Sequence, residues 1–254
     1  MRVPVPTLQR RGQGTRALHV VLQYVVRHRP NMVLLENVAR FSMGKHKEAF
    51  DLVLKRLCSI GVYEVHHNIV NTLDHGVAQN RRRLFIVCIK RCMMQKPFSW
   101  PPISSRRASL SECYDRDHRR VIIKMQNIET QIISGNTSAE NLRLGFKRIQ
   151  KLGKTPKNVD AIIDIGSSPK FAQCKIGHAP TLTHSRCKTR GYYATRLMRR
   201  LSVSEMMRLQ GMEPCRLDTN GISDTDMGGI TGNAMSVNVV TRILKKMLES
   251  IGMD

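Results

Sequence analysis

Apolar and polar positions in the first ninety residues follow the rhythm of alternating helices and strands. Residues 17–29 place an apolar residue at every third or fourth position, which predicts a helix with one buried face that ends at Pro30. The positions of this face are Leu18, Val21, Leu22 and Val25. An apolar run from Met32 to Leu35 follows and predicts a buried strand, continued to Val38.

The same rhythm repeats once more before position 90. Residues 46–60 predict a second amphipathic helix, with Gly61 as its C-terminal cap and an apolar face of Phe50, Val53, Leu54 and Leu57. A partly alternating strand at 62–70 and a turn at 74–79 come next. The run Leu84–Ile89 is almost continuously apolar, which predicts a strand in the centre of the sheet. Helices and strands joined in this order predict an α/β fold.

Beyond position 90 the pattern changes, and we divide the chain into three parts. Residues 1–90 are expected to form an α/β domain, in which 1–16 are an exposed strip. Residues 91–178 are richer in proline and basic pairs such as Arg106-Arg107 and Arg119-Arg120, and predict a second, smaller domain or, alternatively, a disordered basic insertion. Residues 179–254 return to the first domain.

Two helices are predicted in this last part. Ser202 and Glu205 have the spacing of a capping box and predict the start of a helix. A final helix is predicted from about Asn233 to Ser250, with Val237, Val240, Leu244 and Met247 on its packed face.

Charge narrows the class of partner. The 42 Lys and Arg residues exceed the 19 Asp and Glu residues, for a net charge of +23, which favours association with a polyanion such as nucleic acid. A solvated basic surface without a particular partner is the alternative. A hydrophobic content of 41% is enough for a core, and no apolar stretch reaches membrane-spanning length, so we expect a soluble protein that contacts no membrane.

The cysteines argue against a metal or disulfide framework. Their number, seven, is odd, and no Cys-x-x-Cys pair occurs among them. This pattern indicates reduced thiols in an intracellular compartment and no bound metal.

Two short stretches supply the candidate chemistry. Glu36 ends the first predicted strand, and the carboxyl ends of strands are where open α/β sheets bind their ligands. Arg81 and Arg83 lie directly before the central strand, where guanidinium groups suit bidentate contact with an anion or a carbonyl oxygen.

These stretches also carry a family resemblance. Glu36-Asn37-Val38 and Gln79-Asn80-Arg81-Arg82-Arg83 resemble blocks of the C5-cytosine DNA methyltransferases, and two later regions agree with that family in order and spacing. The later regions are Arg199 to Glu205 followed by Arg208 to Gly211, and Gly232-Asn233-Ala234. The resemblance extends from about Gly12 to the C-terminus.

The resemblance implies a fold, an activity and a set of site residues. The fold would be a partial class I, Rossmann-like methyltransferase sheet. In it 1–90 would be a partial catalytic α/β domain, 91–178 an inserted target-recognition domain, and 179–254 the C-terminal return to the catalytic domain. The activity would be transfer of a methyl group from S-adenosylmethionine to C5 of cytosine in double-stranded DNA, in the nucleus or another DNA-containing compartment. Glu36, Arg81 and Arg83 would be catalytic, and Asn233 and Ala234 would contact the cofactor. The expected nucleic-acid contacts are Asn37, Gln79, Thr183, Arg199 and Arg200.

Two blocks of the family are missing from this sequence. The nucleophile of the family is the cysteine of a Pro-Cys-Gln block that precedes the Glu-Asn-Val block. None of the 35 residues before Glu36 in this sequence is cysteine. The Gly-rich cofactor block is absent as well. Cys215 follows Pro214 but precedes Arg216 instead of Gln, and we do not expect it to be the nucleophile. The chain therefore resembles the back part of the enzyme and is expected to be truncated and inactive alone.

Three readings stay open. The first is that the chain is a portion of a DNA methyltransferase. The second is that it is a non-catalytic DNA-binding remnant, or half of a split enzyme whose N-terminal half is a separate chain. The third is that it is a tRNA cytosine-5 methyltransferase of the same family. Gln79 favours DNA over tRNA.

Overall fold

The computed structural model describes residues 13–115 and 137–253 of the chain. The predicted exposed strip lies outside this range at 1–12, as does the basic pair Arg119-Arg120. Residues 13–16, predicted to be part of the strip, belong to a helix instead. The chain forms two compact units. Unit one contains the chain up to Val70, Arg82–Pro101 and the chain from Arg242 onward; unit two contains Asn71–Arg81 and Pro102–Thr241.

The elements of the first ninety residues follow the predicted order. They are helix α1 (Gln13–His28), strand β1 (Met32–Val38), helix α2 (Lys47–Ser59), strand β2 (Tyr63–Asn71) and strand β3 (Arg82–Lys90). Gly61, after α2, has the left-handed backbone conformation expected of a C-terminal cap, with φ of +81°.

The sheet of unit one has the order β1-β3-β2 and confirms β3 as its central strand. Every residue from Leu84 to Ile89 is buried. The helices pack on this sheet through one apolar cluster, to which α1 contributes Leu22 and Val25. Val21, predicted on the same face, is exposed. Strands β1 and β3 are antiparallel, unlike the parallel strands typical of open α/β sheets, so the end of β1 lies beside the start of β3.

Unit two is built around a second antiparallel sheet. Helix α3 (Thr137–Gln150) precedes strands β4 (Ala161–Asp164), β5 (Cys174–Ile176), β6 (Tyr192–Ala194) and β7 (Arg199–Arg200), which have the order β5-β4-β6-β7. The division between units differs from the sequence boundaries near 90 and 178. The assignment of 91–178 to target recognition stays a prediction.

Three further helices of unit two are α4 (His184–Lys188), α5 (Val203–Arg208) and α6 (Asp224–Asn233). Helix α5 begins with the predicted capping box of Ser202 and Glu205, which is confirmed. Helix α6 packs very closely on α4, since a Cβ atom added at Gly228 would lie only 2.5 Å from the Cys187 carbonyl oxygen.

The last helix differs from its prediction in start and in packed face. Helix α7 covers Val237–Ser250, since Asn233 ends α6 and the non-helical residues 234–236 separate the two helices. Its buried apolar residues are Val239, Ile243 and Met247, which recur every four positions. Val237 and Leu244, predicted on the packed face, are exposed. Within 13–115 and 137–253 no helix combines the length and apolar character needed to cross a membrane.

Candidate functional site

The antiparallel pairing of β1 and β3 brings two predicted site residues together in unit one. Glu36 is opposite Phe85 and Val38 is opposite Arg83, so Glu36 and Arg83 are diagonal neighbours across the pair. The Nε atom of Arg83 lies 2.9 Å from Oε1 of Glu36. The exposed fractions of the two side chains are 16% for Arg83 and 21% for Glu36, which leaves both accessible to a ligand.

This ion pair uses the Nε atom of Arg83 and one of the two carboxylate oxygens of Glu36. Burial lowers the pKa of Arg83, and the charge and hydrogen bond of Glu36 oppose that shift without cancelling it. Nη1 of Arg83 donates to the Arg82 carbonyl. Among the described residues the Glu36 carboxylate has no other hydrogen-bond partner, so Oε2 remains available. The pair thus presents a carboxylate oxygen beside a cationic donor, which complements a ring with a carbonyl and an amine on one edge.

Asn37, next to Glu36, is half-buried and shapes the end of β1. Its Oδ1 atom accepts a hydrogen bond from the Val38 backbone N–H at 2.8 Å. Such a local bond fixes the backbone where the strand ends. The nucleic-acid contact expected of Asn37 stays a prediction.

Gln79 lies in a buried amide network of unit two. Its side chain is fully buried. Nε2 donates to the Leu209 carbonyl at 2.5 Å and to Oε1 of Gln210 at 3.2 Å, and Oε1 accepts from the Leu182 N–H at 3.0 Å. Because both ends of the amide are bonded inside the unit, the structure gives Gln79 a packing role instead of the expected contact with nucleic acid.

Arg81 is also an internal residue, with 3% of its surface exposed. Nη1 donates to the Leu182 carbonyl at 2.6 Å, and Nη2 donates to the Ala234 carbonyl at 2.9 Å. The guanidinium thus joins the segment before α4 to the end of α6. This geometry makes Arg81 a structural link and does not support the catalytic contact expected of it, whereas Arg83 is paired with Glu36.

Gln210 completes the network and was missed as a functional residue by the sequence reasoning. Its Nε2 donates to the Thr231 carbonyl, and its Oε1 accepts from Ser236 Oγ. The Gln210 carbonyl accepts from the Val237 N–H. Three of the sequence blocks, Gln79–Arg83, Arg208–Gly211 and Gly232–Ala234, therefore converge on one set of buried hydrogen bonds. Their signal in the sequence is an amide residue within each of two separate blocks.

Arg199 and Arg200 differ in role. Arg199 is buried and forms two hydrogen bonds to the Glu205 carboxylate, at 2.7 and 2.6 Å. Burial lowers the pKa of Arg199, but the hydrogen bonds and charge of Glu205 outweigh it and raise the pKa. A phosphate contact by Arg199 would require breaking this pair, so that expectation does not fit. Arg200 is half-buried, and its pKa is lowered by burial and by the charge of Arg190.

Thr183, Asn233 and Ala234 lie where α4 and α6 meet. Thr183 Oγ1 accepts from Arg186 Nη1 at 3.2 Å. The Asn233 amide is exposed, with Nδ2 at 3.2 Å from Nδ1 of His184, a residue that the sequence did not indicate. Within 13–115 and 137–253 no group of three or more His, Cys, Asp or Glu residues is arranged to hold a metal.

Comparison with known proteins identifies the family that this chain matches. Residues 9–249 match the family described as C-5 cytosine-specific DNA methylase. The chain is 26% identical to type II methyltransferase M.HaeII of Haemophilus aegyptius, over 89% of this chain and 63% of that protein. It is 28% identical to M.NgoBI of Neisseria gonorrhoeae, over 83% and 59% respectively. The chain thus spans about 60% of the length of these relatives.

Solved structures agree on the fold. The Entamoeba histolytica methyltransferase EhMeth is similar with a TM-score of 0.57, at 14% identity over 91% of this chain and 68% of that one. A mutant of Spodoptera frugiperda DNMT2 has a TM-score of 0.56, at 13% identity over 97% and 74%. These likenesses show the Rossmann-like α/β fold expected from the sequence. Since the family match covers nearly all of the sequence, the chain belongs to the C-5 cytosine-specific DNA methylase family.

Proposed function

We propose that this chain is the cytosine-binding part of a DNA (cytosine-5)-methyltransferase. The reaction transfers a methyl group from S-adenosylmethionine, the methyl donor of this family, to C5 of cytosine in DNA. The supporting observation is the Glu36–Arg83 pair, in which a carboxylate and a guanidinium are held 2.9 Å apart and partly exposed.

The chemistry of cytosine explains why such a pair is useful. The reacting atoms of the base are stacked inside the duplex, so an enzyme must extrude the base into a pocket before reaction. There Glu36 would hydrogen-bond the N3 and exocyclic amine of cytosine, while Arg83 would bind O2. Holding that side of the ring makes C6 more susceptible to a nucleophile. Thymine has a carbonyl in place of the amine and would face the Glu36 carboxylate with an acceptor.

Neither Glu36 nor Arg83 can supply the nucleophile itself. The first cysteine of the sequence is Cys58, which follows Glu36. We therefore expect the 254-residue chain alone to bind DNA weakly and not to methylate it. A covalent adduct between this chain and a duplex containing 5-fluorocytosine would refute that expectation.

A binding site for S-adenosylmethionine must contact its adenine, its ribose and its amino-acid end. The two residues expected to bind it, Asn233 and Ala234, do not supply contacts for all three parts. The Ala234 carbonyl is already bonded to Arg81, and only the exposed Asn233 side chain could reach a ligand. We derive no step of the reaction through the cofactor from these residues.

DNA as substrate follows from the family and from the surplus of basic residues, and requires a compartment that contains DNA. The nucleus is one such compartment and stays a prediction, because M.HaeII and M.NgoBI are bacterial enzymes. A separate chain that supplies an N-terminal half, and target recognition by 91–178, are likewise proposals.

Methyl transfer by the protein from its own cells tests the proposal. A tag added at the C-terminus of the chromosomal gene would allow its purification with whatever precedes or accompanies the chain. We expect labelled methyl groups from S-adenosylmethionine to appear on C5 of cytosine in DNA. E36Q should lower this rate by about 10²- to 10⁴-fold, the usual contribution of a positioned proton-transfer group. E48Q, an equal change of charge at an exposed position of α2, should not. Methylation of tRNA in place of DNA would contradict the proposal.

A further inference from the structure

Helix α3 has one buried side and one exposed side. Its buried residues recur every four positions and are Asn141, Gly145 and Ile149. A Cβ atom added at Gly145 would lie 2.6 Å from Ile163, so this side packs tightly on β4. Asn141 Nδ2 donates to the carbonyls of Ile165 and Ser167, which fixes the start of the helix. The opposite side is consequently held toward solvent.

That exposed side is strongly basic. Residues 137–159 contain six Lys and Arg residues and a single carboxylate, Glu140. All six are exposed and form no ion pair with any carboxylate in the part of the chain that the structure describes. We call five of them the basic strip, which consists of Arg143, Lys147 and Lys151 at the helix and Lys154 and Lys157 in the segment after it. Arg148 is left out because its Nη1 donates to the Ala172 carbonyl.

The spacing of the strip suits a regular polyanion. Arg143, Lys147 and Lys151 are four positions apart, so neighbouring charges are about 6 Å apart along the helix axis. Like charges at this spacing repel and weaken a helix. One strand of duplex DNA has a phosphate for every ~3.4 Å of its axis, so the three charges span several consecutive phosphates. Bound phosphates would remove the repulsion within α3.

We propose that the basic strip binds the phosphate backbone of double-stranded DNA and sets the position of unit two on the duplex. The proposal rests on DNA as the substrate of the proposed function and assigns the contact to particular residues. Such contacts carry no sequence information, and the strip therefore contributes affinity at every DNA sequence alike.

Salt dependence of DNA binding tests the strip. The 254-residue chain is titrated into a fluorescein-labelled 20-base-pair duplex, and anisotropy is recorded between ~50 and ~200 mM salt. Loss of three phosphate contacts in R143Q/K147Q/K151Q should reduce the slope of log K against log salt by about 2.7 in magnitude. Glutamine keeps helix propensity close to that of lysine and arginine, and circular dichroism checks that the variant folds.

A matched control removes equal charge from unit one. R27Q/K45Q/K55Q changes three exposed residues of α1, α2 and the segment before α2, and should leave the slope nearly unchanged. Equal slopes for the two triple variants would overturn the proposal, as would an unchanged slope in the strip variant. A strip variant that loses affinity for tRNA but keeps its affinity for duplex DNA would also overturn it. If no methyl transfer to DNA is detected but the strip variant still shows a smaller salt dependence of DNA binding, the proposed function is wrong and the proposal of a DNA-binding strip is retained.

Discussion

Glu205→Gln should destabilise unit two more than other changes of a single charge. The Glu205 side chain is fully buried and receives four hydrogen bonds. Two come from the Arg199 guanidinium, one from the Ser202 N–H at 2.8 Å and one from the Asp115 N–H at 3.0 Å. Glutamine has the same shape but no charge, and its amide nitrogen would face two of these four donors, because each carboxylate oxygen accepts two of the bonds.

The size of the effect follows from that burial. Arg199 is 4% exposed, so its charge would remain buried without its partner. Removing one member of a buried ion pair costs about 3–5 kcal/mol. For units of this size the thermal midpoint of unfolding moves by roughly 2–4 °C per kcal/mol. The unfolding transition of unit two should therefore fall by about 6–20 °C.

Urea unfolding followed by circular dichroism measures the change. E213Q is the control, because Glu213 is exposed in the same unit and its substitution should stay within about 0.5 kcal/mol of the parent. A free energy of unfolding for E205Q within that same margin would refute the reasoning. R199Q should also be destabilised; a stable R199Q chain with weakened DNA affinity would instead restore the phosphate contact expected from the sequence.

Three further outcomes follow from the structure. G211A should lower the free energy of unfolding in urea by about 1–3 kcal/mol or more, because Gly211 has φ of +75° and a Cβ atom there would lie 2.0 Å from Asn238 Oδ1. G153A should cost less, because Gly153 has φ of +70° but open space around it. Equal losses for the two variants would contradict this prediction. Q79L should cost about 1–3 kcal/mol, because it leaves the buried Leu182 N–H without its acceptor, and a neutral effect would argue against the amide network. Burial raises the pKa of Cys88 and Cys187 to about 12, and it raises the pKa of Cys113 as well. A thiol reagent at pH 8 should therefore react rapidly only with the three exposed thiols, and four or more fast thiols would contradict the packing. The exposed thiols are Cys58, Cys92 and Cys215.

Much of unit one could be predicted from the sequence because its elements follow a simple apolar pattern. The run Leu84–Ile89 is apolar at every position, and a strand buried on both sides has that signature. The capping box of α5 is a local motif whose hydrogen bonds form between residues three apart, and it was predicted for that reason.

Helices α3 and α6 were missed because their packed sides are not apolar. In α3, Asn141 and Gly145 occupy two of the three most buried positions. In α6, the contact with α4 is made by glycines such as Gly228 and Gly232, where closeness of the backbones replaces apolar side chains. A periodicity of hydrophobic residues cannot register either kind of contact.

The candidate site was predictable in part. The pairing of β1 with β3 decides that Arg83 meets Glu36, and that pairing depends on tertiary structure. Gln79, Arg81 and Arg199 are polar, which on the sequence alone favoured contacts with a ligand. Their actual partners are carbonyls and a carboxylate far away in the chain or buried beside them. Burial of a polar residue with its partner leaves no mark in the hydrophobic pattern.

A double-mutant cycle on the methyl-transfer rate tests the central claim that Glu36 and Arg83 hold the cytosine as one unit. The protein purified from its own cells would be compared as parent, E36Q, R83Q and E36Q/R83Q. Groups that act together are strongly non-additive, so the double variant should be hardly slower than the slower single variant. Rates that fall by the product of the two single effects, or an R83Q variant as fast as the parent, would contradict the account.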